Sequence, residues 1–135
     1  MAPTQLVLTV VAGPDGREAP LMRWGFQPGY LKDSRLAPIN AKAETLLDKP
    51  LFRGALARQR CLVVADGFFE WRSLPEGGKQ PMYMRLKDGS LFAFAGLYTP
   101  GKDGTPPSCA IVTTTPNELV APLHYVAWNM PAVMS

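Results

Sequence analysis

Arg60-Cys61-Leu62-Val63-Val64-Ala65-Asp66-Gly67-Phe68-Phe69-Glu70-Trp71 is the stretch on which the fold turns. It begins as a near-continuous apolar run with β-branched residues and reaches Asp66-Gly67, a pair that favours turns. The pattern predicts a buried strand ending in a tight turn. Glu70 then stands between two aromatics, Phe69 and Trp71. A carboxylate is costly to bury unless it is paired. Glu70 therefore either points out of an edge strand or is bonded and tuned for chemistry.

Working outward, the same kind of pattern recurs. Leu6–Val11 reads as a strand, Gly13–Gly16 as a turn and Ala19–Trp24 as the hairpin partner. Gln80–Leu86, Leu91–Tyr98 and Ser108–Thr115 read as further strands, separated by loops over Leu74–Lys79, Lys87–Ser90 and Thr99–Pro107. Thr45–Gln59 is helical, as one helix or two short helical turns. Leu46, Leu47, Leu51, Phe52 and Leu56 supply its apolar side, with Pro50 in a first turn and Asp48 as cap. Pro116–Val120 suggests a short helix or turn. Strands in excess of short helices predict an α+β, mainly β single domain over residues 1–135, with mixed or antiparallel sheets.

Composition narrows the function classes. The 135 residues are 47% hydrophobic and 19% charged, which suits a folded core. The formal net charge of +3 permits a nucleic-acid partner without requiring one. No apolar run approaches the roughly 18 residues of a membrane span, and the start has no secretory signal pattern, so a cytoplasmic location and no membrane partner are expected. Cys61 and Cys109 lie far apart inside apolar segments and read as buried free thiols. No zinc cluster, phosphate loop, dinucleotide fingerprint or nucleophile elbow is present, so no metal or cofactor is expected.

Several polar and aromatic groups remain open at this point. Trp24 and Phe26, in Trp24-Gly25-Phe26-Gln27-Pro28, are core anchors or a platform on which unpaired bases stack. Asn40, Lys42 and Glu44 alternate with small apolar residues; in an extended segment all three share one face, either an ordinary solvated face or a site. Arg53, Arg58 and Arg60 form a modest basic cluster. Asn40, Glu70 and His124 come from three separate segments. They could combine an oxygen-holding amide with two proton-exchanging groups, although spacing alone does not bring them together.

Taken together these residues resemble the SOS response-associated peptidase (SRAP) family, whose members sense abasic sites in single-stranded DNA. The matching pieces are Ala2-Pro3-Thr4, Trp24–Pro28, Ile39–Thr45, Cys61–Trp71, and Thr113-Thr114-Thr115-Pro116-Asn117 followed by His124. The resemblance implies a basic cleft for single-stranded DNA, a monomer, and association with damaged DNA in the bacterial nucleoid. It also implies a cysteine exposed by methionine removal. Its amine forms a Schiff base with the ring-opened sugar, and its thiol closes a thiazolidine crosslink. Asn40 matches the asparagine beside that cysteine, Glu70 the acid that exchanges protons with amine and sugar, and His124 the histidine that assists ring opening. Trp24, Arg23, Arg35, Lys42, Arg53, Thr113 and Thr114 are the candidate DNA contacts.

The chain also departs from the pattern. Ala2 stands where the family's segment lies well downstream of its terminal cysteine, Lys42 replaces an arginine, and Tyr125–Asn129 interrupts the run from His124 to Met130-Pro131. The expectation is a domain incomplete at both ends and impaired in crosslinking as it stands: a family member or fragment whose site residues keep their roles when the nucleophile is present, a diverged form that binds single strands without forming the thiazolidine, or a structural remnant.

Overall fold

A computed structural model describes residues 4–85, 89–102, 106–114, 130–131 and 133–134. In chain order its strands are β1 (Leu6–Gly13), β2 (Gly16–Glu18), β3 (Leu21–Trp24), β4 (Asn40–Lys42), β5 (Arg60–Ala65), β6 (Phe68–Ser73), β7 (Lys79–Met84), β8 (Phe92–Thr99), β9 (Ser108–Thr114), β10 (Met130–Pro131) and β11 (Val133–Met134). Two 3-10 helices, Ser34–Leu36 and Ala43–Asp48, and one α-helix, α1 (Pro50–Arg58), complete the set. The α+β, mainly β reading of a single domain holds.

The larger sheet closes on itself. β9 pairs with β3, β3 with β1, β1 with β5, β5 with β8, and β8 again with β9. Closure leaves the ring strands few free edges, the usual liability of a sheet. Most pairings are antiparallel, while β3 and β4 run parallel to β9, so the sheet is mixed.

Alternation sends one set of side chains to each face. Val7, Val11, Met22, Cys61, Val63, Phe94, Cys109 and Ile111 form one core; Phe92 and Phe94 meet edge to face there at 5.2 Å. On the other face Ala41, Leu97, Ala110 and Val112 pack against Leu46 of the second 3-10 helix and Phe52 and Ala55 of α1.

Local chemistry explains where the elements depart from the sequence reading. The hairpin partner expected over Ala19–Trp24 begins earlier and is split: β2, at Gly16–Glu18, pairs with the end of β1, and β3, at Leu21–Trp24, with its start. Pro20 sits at the break. It has no N–H for a ladder, but its carbonyl accepts from the Thr9 amide at 3.1 Å and from Thr9 Oγ1 at 2.7 Å. The wholly buried Thr9 hydroxyl is thereby satisfied. Thr45–Gln59 resolves into helical pieces broken at Lys49. Lys49 rather than Asp48 is the N-cap of α1, and Pro50 takes the first turn. A short 3-10 turn spans Ser34–Leu36, capped by Asp33, which accepts from the Arg35 amide at 3.0 Å.

The stretch from Arg60 to Trp71 also divides. β5 is a ring strand, but after Asp66-Gly67 the chain leaves the ring, and β6 pairs with β7 as a separate two-stranded ribbon. Phe68 fastens the ribbon to the first core, its ring 5.5 Å from Phe94 and 6.2 Å from Phe92.

Candidate functional site

β9 organises the candidate site. Along one edge it first pairs with β3, Arg23 opposite Ser108 and Trp24 opposite Cys109. The chain then swings out from Gly25 and returns as β4, with Asn40 opposite Ile111, Ala41 opposite Val112 and Lys42 opposite Thr113. Three bonds tie the base of this excursion: Gly25 N to Cys109 O at 2.9 Å, Phe26 N to Pro38 O at 2.8 Å, and Ile111 N to Ile39 O at 2.9 Å. The indole of Trp24 adds a fourth, donating from Nε1 to Ile39 O at 2.9 Å.

Because residues paired across a ladder share a face, Asn40 and Lys42 lie on the face of Ile111 and Thr113, and Ala41 on the opposite face with α1. Asn40 and Lys42 are exposed while Ala41 is 1% exposed. The alternation expected for Asn40 and Lys42 is therefore present. Glu44 breaks from it: it lies in the Ala43–Asp48 3-10 helix, where its Oε1 accepts from Thr114 Oγ1 at 2.8 Å. That contact joins positions 70 residues apart, and no local signal announces it. Thr113 is 4% exposed, and its Oγ1 finds no hydrogen-bond partner among the described residues.

The aromatics separate into two roles. Phe26 is 2% exposed, edge to face with Phe52 at 5.2 Å, and is a core anchor rather than a stacking platform. Trp24 is half-buried against the first core with its indole N–H engaged.

The cations differ in what already holds them. Arg35 is exposed and forked onto Asp33, Nε to Oδ1 at 3.1 Å and Nη2 to Oδ2 at 3.0 Å. This pairing holds the Asp33 carboxyl below its ordinary range and raises Arg35. Arg23 is half-buried, and its Nη1 donates to the neutral Gln27 Oε1 at 3.3 Å. Arg53 is exposed on α1.

Neither cysteine is poised for attack. Cys61 and Cys109 are free and buried, and burial pushes both thiols up to about 12, with the neighbouring Cys109 adding to the effect on Cys61. Of the remaining expected groups, Glu70 stands in β6 with its backbone opposite Met82. His124 and the Pro116–Val120 turn lie outside the described residues, as does Ala2. Among the described residues there is no group of three or more His, Cys, Asp or Glu that could hold a metal ion, and no helix is long and apolar enough to cross a membrane.

Comparison with known proteins agrees with this geometry. The chain is 42% identical over 142 residues to the abasic site processing protein YoqW of Bacillus subtilis (strain 168), a match spanning 100% of the chain and 61% of YoqW. It is 39% identical over 140 residues to the abasic site processing protein YoaM of the same organism, across 100% of the chain and 60% of YoaM. The chain thus spans about three fifths of the length of these relatives. An X-ray crystal structure of a Bacteroides thetaiotaomicron protein superposes with a TM-score of 0.81 at 28% identity, covering 98% of the chain and 60% of that structure. The family model for SOS response associated peptidase (SRAP) matches residues 1–135. On that match and on the identity to YoqW and YoaM, the chain belongs to the SRAP family.

Proposed function

We propose that this chain carries the single-strand-binding platform of a bacterial, cytoplasmic abasic site processing protein. The observation that carries the reading is the β9 edge, where exposed Asn40 and Lys42 stand on one face beside the half-buried Trp24. In this reading Lys42 contacts a backbone phosphate as a point charge. The Asn40 amide holds the oxygen of the opened sugar. The exposed part of Trp24 stacks on a base beside the gap. Thr114 lines the path of the strand while Thr113 is buried beneath it, Arg23 and Arg53 extend its electrostatic attraction, and Arg35 contributes least because Asp33 already occupies its fork. Glu70 and His124 exchange protons with amine and sugar as the Schiff base forms and releases water.

The covalent step requires an amine and a thiol on one terminal residue. The amine condenses with the aldehyde, and the thiol then adds to the imine carbon. Cys61 and Cys109 are interior and held as neutral thiols, so neither substitutes. The 135 residues alone are therefore expected to bind but not to crosslink.

The test uses a single strand with one abasic site. Binding should favour it over duplex and weaken steeply with salt. A denaturing gel without reductant should show no heat-stable adduct, and a Cys-Gly-Arg leader joined to the chain should produce one. Equal affinity for duplex and single strands would sink the platform reading. A stable adduct on the unextended chain that disappears in Cys61→Ser would overturn the assignment of the thiols to packing.

A further inference from the structure

We propose that the outer face of the ring carries a docking groove for a short segment of a protein partner, a peptide with carboxylates at one end and bulky apolar side chains at the other. In β1, Val7, Thr9 and Val11 are buried inside the ring, so Leu6, Leu8, Val10 and Ala12 point away from it. Over β8 and β9 this outer face is covered: Leu97, Ala110 and Val112 pack under α1 and the second 3-10 helix. Over β1 and β3 it is open. Leu8 and Leu21 stand opposite each other at 44% and 54% exposed, and Leu6 beside them is 55% exposed. Single exposed leucines are ordinary on a surface, but a contiguous group beside a groove marks a contact surface.

The groove, ≈ 490 Å³, lies where the open and covered parts meet. A row of paired residues crosses its floor, Val10 opposite Leu62 and Leu62 opposite Ala95, while Leu46 and Leu56 line it from the helical side. Its charged lining residues are Arg17 and Arg60, both exposed. Among the described residues no carboxylate lines it, and neither arginine has an ion-pair partner. Glu18, next to Arg17 in β2, is opposite Val11 and so takes the other face.

Register gives the groove a polarity. Arg17 is opposite Ala12 on one edge of β1. On the other edge Thr9 is opposite Val63 and Val10 opposite Leu62, and the same register carried two residues further brings Arg60 level with Ala12. Two guanidinium groups therefore flank one point of β1, on strands about 10 Å apart. From Ala12 to Leu8 is four residues, about 13 Å at strand rise. One end of the surface is cationic, and the other, at Leu8 and Leu21, is apolar.

That polarity selects the occupant. Two unpaired arginines side by side call for more than one negative charge. The leucines spread over two strands, so an area has to be covered, which side chains projecting from a peptide do and a single acyl chain does not. About 13 Å corresponds to about nine residues of helix or about four of extended chain. A second copy placed on the groove about a two-fold axis would bring arginines to arginines, because such a contact repeats one surface on both sides. The groove also lies on the sheet face opposite Asn40 and Lys42, which share the face of Ile111. A partner and a DNA strand are therefore held at the same time.

The experiment is fluorescence anisotropy with a labelled peptide of about ten residues, aspartates grouped at one end and leucine and phenylalanine at the other. A second probe carries lysines in place of the aspartates. The chain should bind the acidic probe and not the basic one. Arg17→Glu/Arg60→Glu, at exposed positions, should weaken the acidic probe at least about tenfold and confer binding of the basic probe. Leu8→Ser/Leu21→Ser should weaken the acidic probe several-fold, and a saturating abasic single strand should leave it bound. Thermal unfolding checks that each variant keeps its fold. No binding of the acidic probe, or binding untouched by both double variants and displaced by the single strand, would overturn the groove. Sedimentation showing a dimer that Leu8→Ser/Leu21→Ser dissociates would replace the partner by a second copy, and decanoate displacing the probe at equal concentration would replace it by an acyl ligand. A probe that binds this chain but not the longer Bacillus subtilis relatives would mean that their additional length fills the groove, and the partner would be ruled out.

Discussion

β5 and β6 are separated by two residues, Asp66 and Gly67, yet they live in different surroundings. β5 is flanked by β1 on one side and, along its whole length, by β8 on the other; Cys61, Val63 and Ala65 are 5%, 0% and 8% exposed. β6 has β7 alone. Both stretches are apolar and strand-forming, so hydrophobicity does not separate them. Neighbours do: a strand flanked on both sides inside a closed ring cannot open without opening the ring, whereas a ribbon anchored through Phe68 can loosen by itself. For a site that draws on both, the ring supplies a rigid wall and the ribbon a movable one.

The comparison breaks most readily at the shared core. Phe94 is 0% exposed and touches both Phe92 of the ring and Phe68 of the ribbon. Phe94→Ala should cost about 3–5 kcal/mol in urea denaturation and unfold ring and ribbon together. A cost under about 1 kcal/mol would mean that the aromatic cluster is not what joins them.

A second test acts where the two diverge. A Cβ on Gly67 would run into the ring of Tyr83, across the ribbon. Gly67→Ala should cost about 1–3 kcal/mol, and Tyr83→Ala, at a position 49% exposed, should relieve most of that in a double-mutant cycle. Additive costs would show that β6 and β7 approach less closely than described. The smallest effect is confined to the ribbon's turn, where Gly77 has φ 98° and donates from its amide to Leu74 O at 3.0 Å. Gly77→Ala should cost about 1 kcal/mol. It should appear as faster amide exchange in β6 and β7, while the denaturation midpoint of the ring stays in place.

How much of this was legible in the sequence depends on range. The strand at Leu6–Val11, the shared face of Asn40 and Lys42 around Ala41, and the break at Asp66-Gly67 are written in neighbouring residues, and each is found in place; which face of β1 is buried is not, since polar Thr9 is inside while Leu6 and Leu8 are exposed. Which sheet a strand joins is not local. Nothing near Phe68 tells that β6 leaves the ring, because that depends on β8 already filling the edge of β5. The parallel pairing of β3 and β4 on one edge of β9 is likewise invisible, since both partners lie more than 70 residues away in the chain. The same limit hid the bond from the Gln27 amide to the hydroxyl of Ser108, 81 positions downstream. Glu44 departs from the face of Asn40 and Lys42 because the strand ends at Lys42 and the following 3-10 turn carries its carboxylate to Thr114.

The burial of the two thiols has a practical consequence. At pH 8 a group titrating near 12 is ionised to about one part in 10⁴, and both sulfurs are shut inside the strand ring. An alkylating reagent therefore waits for the ring to open before it can react. Cys61 on β5 and Cys109 on β9 stand on strands separated by β8, so their labelling rates time the opening at two points of the ring. The native chain carries its own pair of unfolding clocks, with no probe to be engineered in.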